Sequence, residues 1–288
     1  MNTYLRFCLP FMVFLSLNLL VNSQSDTLPL SLTKKYCKGE FKNDLSIYAD
    51  IAVEKDFPIK KIAKNAILRF EELYRTQNEA VVAVSIQQDQ TQKDIYFNWI
   101  KDNDWKLKSF KSFRMPGVFY VILEKYKGLD DEGITAEYNK TVSEIKRKNP
   151  EITSDEISES IGSLDELLLN IKIMRLTVAS DSVLLTHFEV NMQKFNDLLA
   201  KIKEKENEKE AWKFDKQSVF AAEMKEILIS SISNIENRHL IHFIITGIID
   251  NSVGYFYCQD PLAIPNIVKS NYMMIRAIKD GWYLYKID

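Results

Sequence analysis

Apolar residues recur at helical spacing in the first patterned segment of the chain. Between residues 58 and 74 they fall three or four positions apart, which places them on one face of a helix. Asp56 and Pro58 are residue types that commonly open a helix. The pattern therefore predicts an amphipathic helix over residues 58–74. Its predicted buried face consists of Ile59, Ile62, Ala63, Ala66, Ile67, Phe70 and Leu73.

The pattern then changes to short runs that are typical of strands. Residues 80–86, 94–100 and 104–110 are rich in β-branched and aromatic side chains. Asp102 and Asn103 give a tight-turn signal before the third run, so we predict a three-stranded antiparallel meander. The apolar run at residues 117–126 fits either a strand or a buried helix, and periodicity does not choose between them.

Residues 129–236 favour helices. Thr153 with Glu156, and Ser163 with Glu166, have the spacing of capping boxes and predict two helix N-termini. The longest predicted helix covers residues 182–205 and carries an apolar stripe with steps of four and three. Such a stripe either faces the core or forms a coiled-coil seam, and in a chain of this size the core is the more common outcome. The stripe consists of Leu184, Phe188, Met192, Phe195, Leu199 and Ile202.

The C-terminal part predicts a helix followed by an antiparallel sheet. The helix covers residues 218–235, and Asp280 with Gly281 forms a strong hairpin signal near the end. The predicted strands cover residues 239–249, 253–258, 272–278 and 282–287. The expected fold class is α+β, with helices and antiparallel β-meanders segregated along the chain.

The predicted organisation has three parts after a leader. They are an N-terminal α+β module over residues 24–128, a helical region over 129–216, and a C-terminal helix with its sheet over 217–288. The run Ile100-Lys101-Asp102 also resembles Ile278-Lys279-Asp280. This similarity fits two helix-plus-meander modules joined by a helical middle, or a chance likeness between two hairpins.

The first 23 residues have the pattern of a cleavable signal peptide. A short start with one positive side chain, Arg6, precedes the apolar stretch 7–21, which is too short to span a bilayer comfortably. The small residue Ser23 then suits a cleavage site, so the mature chain is expected to begin at Gln24. We predict an exported protein, periplasmic or extracellular, that is not embedded in a membrane after cleavage.

Composition and charge narrow the class of protein and partner. The 288-residue chain is 46% hydrophobic and 27% charged, as folded globular proteins are. Its net charge is −2 and its Lys and Arg residues are scattered, so nucleic acid is not an expected partner. Two cysteines follow the leader, Cys37 and Cys258. In an oxidising compartment they form either a long disulfide or two free thiols, and the sequence does not decide which.

Familiar catalytic motifs are missing from the sequence, which predicts neither a cofactor nor a metal. His239 and His242 are three apart at the start of a strand, so alternation points them to opposite faces. Cys258 with His242 as its base is a conceivable nucleophile, although packing or disulfide formation is the stronger explanation of Cys258. The sequence leaves it undecided whether the protein is an enzyme, and it identifies no catalytic residue.

Aromatic residues concentrate on the two predicted sheets. Four residues of the C-terminal sheet are candidates to face a ligand: His242, Tyr255, Tyr257 and Trp282. Cross-strand packing is the competing explanation for these aromatics. The leading functional prediction is a non-catalytic protein that binds a small molecule or another protein. The alternatives are a secreted hydrolase with a sheet-lined pocket, and a structural envelope protein that uses the stripe at residues 184–202 as a partner surface.

Overall fold

The computed structural model describes residues 28–41, 44–49, 65–89, 91–205, 211–234, 239–248 and 251–288. The predicted signal peptide lies outside these residues. The chain divides into two compact units after Ser112. The boundaries predicted after residues 128 and 216 stay predictions. Helices and antiparallel sheets together confirm the α+β class. Within the described residues, every helix is too short or too polar to cross a membrane.

The first unit contains a helix and a four-stranded antiparallel sheet. Its strands are paired in chain order, β1-β2-β3-β4. The three predicted strands are confirmed as β2 to β4. The elements are α1 (Pro29–Cys37), β1 (Ile67–Arg75), β2 (Glu79–Gln88), β3 (Thr91–Lys101) and β4 (Trp105–Lys111).

The prediction of a helix over residues 58–74 is wrong for the residues of this range that the structure describes. From Ile67 onward this segment is β1, and its residues 58–64 lie outside the described part of the chain. Leu68 and Phe70 pair across to β2 and pack against the core of the unit. They are two residues apart, so they point to the same face of a strand. Pairing with β2 therefore overrides a spacing that would also suit a helix.

Helix α1 covers one face of this sheet. Tyr36 and Cys37 of α1 are buried beside Trp99 of β3 in one apolar cluster. The indole Nε1 of Trp99 donates a hydrogen bond to Thr33 Oγ1 at 2.9 Å. This bond satisfies the buried indole N–H and fixes the helix to the sheet.

The second unit begins with five helices. The apolar run at residues 117–126 forms a helix rather than a strand. Both predicted capping boxes are confirmed, one at Thr153 with Glu156 and the other at Ser163 with Glu166. The helices are α2 (Gly117–Lys125), α3 (Asp131–Lys148), α4 (Ser154–Ile161), α5 (Leu164–Thr177) and α6 (Asp181–Lys205).

A six-stranded antiparallel sheet completes the second unit. Its strand order is β5-β6-β7-β8-β10-β9. Asp280 and Gly281 both have positive φ, at 51° and 83°, as the predicted hairpin requires. The elements are β5 (Lys213–Phe214), α7 (Ala221–Glu226), β6 (Ser231–Ser233), β7 (Leu240–Ile248), β8 (Asn251–Cys258), β9 (Tyr272–Lys279) and β10 (Trp282–Ile287).

The helix predicted over residues 218–235 is shorter than its pattern suggests. It ends at Glu226, and Leu228 has a positive φ of 54°, which a continuing helix does not allow. Ile232, which the helical pattern included, instead pairs with Phe243 in the sheet. A strand pairing again replaces a helical spacing.

Candidate functional site

The sheet of the second unit has two faces with different surroundings. Helix α6 packs on one of them, where Phe188 and Phe195 contact Tyr255 and Trp282 with ring centroids 5.1 to 5.6 Å apart. We call this the helix face. Strand register places the opposite set of side chains together on the other face: Ser231, His242, Ile244, Ser252, Phe256, Tyr285 and Ile287.

A cleft of about 950 Å³ opens on this second face, which we call the cleft face. Ser231, Ile244, Ser252 and Ile287 of the sheet line it. Further lining comes from α5, from α7 and from the segments around β5 and β6. The walls combine apolar side chains with hydroxyl and amide groups, which is the usual composition of a small-molecule site.

In the described part of the cleft lining, positive side chains lie beside a single carboxylate. The lining lysines are Lys213 of β5, Lys216 between β5 and α7, and Lys225 of α7. The acidic lining residue is Asp215. All four are exposed to solvent. The Asp215 carboxylate accepts a hydrogen bond from the backbone N–H of Gln217 at 2.9 Å. The lining therefore has a surplus of positive charge.

His242 lies on the cleft face and contacts one residue of the cleft wall. Its Nε2 lies 2.8 Å from the hydroxyl oxygen of Tyr272, which lines the cleft. Its ring also meets Tyr285 edge-on, with centroids 5.2 Å apart. Burial among these rings lowers the pKa of His242 to about 4, so the imidazole is neutral at physiological pH.

Three of the four predicted ligand-facing residues lie on the helix face: Tyr255, Tyr257 and Trp282. The Tyr255 hydroxyl donates to the Leu184 carbonyl oxygen at 2.8 Å and lies 2.9 Å from His187 Nδ1. Trp282 Nε1 donates to Asn196 Oδ1 at 2.9 Å. Both side chains are buried under α6, and neither lines the cleft.

Tyr257, His242 and the candidate nucleophile Cys258 are also outside the lining. Tyr257 is half-buried on the helix face, with Lys203 Nζ 4.2 Å from its ring centroid. Cys258 is buried on β8, and its thiol donates to the Asp260 carbonyl oxygen at 3.0 Å. Burial raises the Cys258 pKa, so the nucleophilic thiolate is disfavoured. His242 instead bonds to Tyr272, and the structure does not bring Cys258 and His242 together as a hydrogen-bonded pair.

The two cysteines that follow the predicted leader, Cys37 and Cys258, are free thiols in the structure. Cys37 is buried in the first unit, where desolvation raises its pKa to about 12. Cys258 belongs to the second unit. A disulfide between them stays a prediction for the exported protein. His239 is exposed, and no group of three or more metal-ligating side chains is present among the described residues.

The apolar stripe of the longest helix is part of the core. Met192 is half-buried, and the other five residues of the stripe are buried on α6: Leu184, Phe188, Phe195, Leu199 and Ile202. This confirms the core-facing interpretation of the stripe. The envelope-protein alternative needed the same stripe to be exposed, and its burial removes that surface.

Sequence reasoning missed the basic lining of the cleft. Lys213 and Lys216 lie in a mixed-sign segment whose pattern is typical of a solvated linker. Lys225 lies on the separate short helix α7. No local motif connects these positions, because the fold brings them to one cleft from separate elements.

Comparison with known proteins gives no further information about the site: no family model, curated protein or solved structure matches the chain.

Proposed function

We propose that this is an exported, non-catalytic protein that binds a small molecule in the cleft of its second unit. The cleft itself is the observation that supports the proposal. Its volume of about 950 Å³ lies at the upper end of the range for small-molecule sites. A ligand with several rings would fit this space.

The cleft offers both burial and orientation to a ligand. Leu169, Ile173 and Ile244 are partly exposed lining residues and present apolar surface. Ser231, Ser252 and Asn170 add groups that can hydrogen-bond to a ligand. Apolar contact provides most of the affinity in such sites, and a few polar groups set the orientation.

The chemistry of the lining favours binding over hydrolysis. A hydrolytic mechanism uses a nucleophile or a water molecule with a base in hydrogen-bond reach. Among the described residues, those that line the cleft include one carboxylate, on Asp215, and neither histidine nor cysteine. His242 and Cys258, on which the hydrolase alternative depends, are therefore displaced from the space that a substrate would occupy.

A matched pair of alanine positions tests whether the cleft binds ligands. Ala221 lines the cleft, whereas its neighbour Ala222 is exposed and does not. The probe is N-phenyl-1-naphthylamine, an uncharged molecule whose fluorescence rises in an apolar site. We expect saturable binding to the exported protein with a Kd of about 1 to 10 μM, weakened about tenfold or more by Ala221→Trp.

The Ala222→Trp variant is the control and should bind the probe as the unmodified protein does. Equal weakening by both substitutions would show that tryptophan disturbs α7 rather than fills the cleft. Equal binding by all three proteins would contradict the proposal, because the probe would then bind elsewhere.

Export is the second part of the proposal and is supported by the pattern of residues 1–23. Expression from the full-length gene, followed by N-terminal sequencing of the secreted protein, tests it. The expected first residue is Gln24. A protein retained in the cells that still begins at Met1 would contradict this part and leave the cleft experiment unaffected.

A further inference from the structure

We infer that the cleft selects an organic anion: a molecule with an apolar body and one negatively charged group. The inference rests on the proposed function and goes beyond it by naming the ligand class. It depends on which charged groups line the cleft and on how those groups are paired.

Three lysines line the cleft without carboxylate partners among the described residues. Lys213, Lys216 and Lys225 form no ion pair with a described Asp or Glu. Asp215, the lining carboxylate, lies in sequence between the first two lysines. Counting the side chains of the described residues alone, the lining carries three positive charges against one negative charge. The whole chain, by contrast, has a net charge of −2.

Other lysines of the same unit show a different arrangement. Lys172 lies 2.6 Å from Asp131, Lys194 lies 3.0 Å from Glu226, and Lys201 lies 3.0 Å from Glu223. Carboxylates on this unit therefore neutralise several lysines outside the cleft. The cleft lysines can therefore interact with a charged ligand, and a cleft with a surplus of one sign of charge attracts ligands of the opposite sign.

The apolar lining requires that the anion also has an uncharged body. Leu169 and Ile173 of α5 and Ile244 of β7 are partly exposed and line the same space as the lysines. A small inorganic anion would leave this apolar surface in contact with water, whereas a ring-bearing anion would cover it. Apolar contact and charge attraction therefore favour the same kind of molecule.

Two dyes that differ by one sulfonate test the inference. The anion is 8-anilinonaphthalene-1-sulfonate, and its uncharged counterpart is N-phenyl-1-naphthylamine. We expect the exported protein to bind the anion about tenfold more tightly than the uncharged dye at low salt. This preference should shrink as added salt screens the exposed lysines.

Two triple variants with the same change in net charge locate the effect. The cleft variant replaces Lys213, Lys216 and Lys225 with Gln. The control variant replaces Lys140, Lys146 and Lys148 with Gln; these are exposed lysines of α3 that do not line the cleft. We expect the cleft variant to lose the preference for the anion and still bind the uncharged dye. The control variant should keep the full preference.

The remaining outcomes overturn the inference in distinguishable ways. Equal affinity of the unmodified protein for both dyes would overturn the choice of an anion while leaving small-molecule binding intact. An anion preference that survives in the cleft variant would place the charged site elsewhere. Failure of both dyes to bind saturably would overturn the proposed function and this inference together.

Discussion

The Nε2 atom of His242 lies 2.8 Å from the hydroxyl oxygen of Tyr272, although the two residues stand three strands apart, on β7 and β9. Neighbouring strands are about 4.8 Å apart, so three steps across a flat sheet span roughly 14 Å. The two rings nevertheless stack with centroids 6.5 Å apart. The sheet therefore curls towards the cleft face, and this curvature helps to form the cleft.

Two histidines, His242 buried and His187 half-buried, should make the second unit sensitive to acid. Burial lowers the pKa of both His187 and His242 to about 4, below the ordinary value of 6.5. The unfolded chain therefore binds more protons than the folded chain between those values, and stability falls as pH decreases from about 6.5 to 4. Each histidine can account for at most about 3 kcal/mol of this loss. Thermal unfolding measured from pH 7 to pH 4.5 checks the prediction.

Histidine variants assign this pH dependence. In the double variant His187→Gln and His242→Gln, stability at pH 7 is expected to drop because ring packing is lost. The further decrease on acidification should be smaller than in the unmodified protein, since glutamine does not titrate. His239→Gln removes an exposed histidine and should leave the pH profile unchanged. An unaltered acid decrease in the double variant would assign the effect to other groups.

A buried ion pair joins α6 to an interior strand of the sheet. Lys286 Nζ on β10 lies 2.8 Å from Asp181 Oδ1, and both side chains are 3% exposed. Asp181→Asn keeps the shape but leaves a buried ammonium with a weaker partner, so we expect a loss of about 3 to 5 kcal/mol in the free energy of unfolding. Urea unfolding measures this loss in the free energy of unfolding. Hydrogen exchange of peptides from α6 and β10 shows where protection is lost.

The double variant Asp181→Asn with Lys286→Met is the control for this ion pair. Removing both charges also removes the cost of a buried charge that has lost its main partner, so the double variant should be more stable than the sum of the single changes predicts. Strict additivity would show that the two charges do not stabilise each other in the folded protein.

Short-range features of this fold could be predicted from sequence, whereas the cleft could not. The capping box at Thr153 and the hairpin at Asp280 depend on backbone groups within a few residues, so the local sequence contains each complete interaction. The cleft lining extends from Leu169 to Ile287 and comes together through tertiary packing. The spacing of apolar residues around Phe70 is compatible with either a helix or a strand, and pairing with β2 makes this segment a strand.

Thiol reactivity should separate the two cysteine alternatives. Cys37 and Cys258 are buried, and burial raises both pKa values, so we expect iodoacetamide to modify the folded protein slowly at pH 8. From the free thiols of the structure we expect two modifications of the exported protein, which lacks Cys8, once it is unfolded in denaturant without reductant. Mass spectrometry counts them. A protein that gains no adduct until it is reduced would contain the disulfide instead.

The close approach of β7 and β8 depends on Gly254. A Cβ at this position would overlap the backbone carbonyl oxygen of Phe243 and lie 3.0 Å from the Cα of Ile244. Backbone atoms of a central strand cannot move aside as the end of a flexible side chain can. Gly254→Ala should therefore force β7 and β8 apart and lower the free energy of unfolding by about 2 to 4 kcal/mol. Because β7 and β8 both line the cleft, the variant should also bind N-phenyl-1-naphthylamine less tightly.

Gly117→Ala is the matched control for the Gly254 substitution. A Cβ at Gly117 would have no other atom within 4 Å, and alanine favours the helix that begins there. Its stability should stay within about 0.5 kcal/mol of the unmodified protein, with dye binding unchanged. If Gly254→Ala proved equally harmless, the two strands could separate without loss, and their close approach would not be what shapes the cleft.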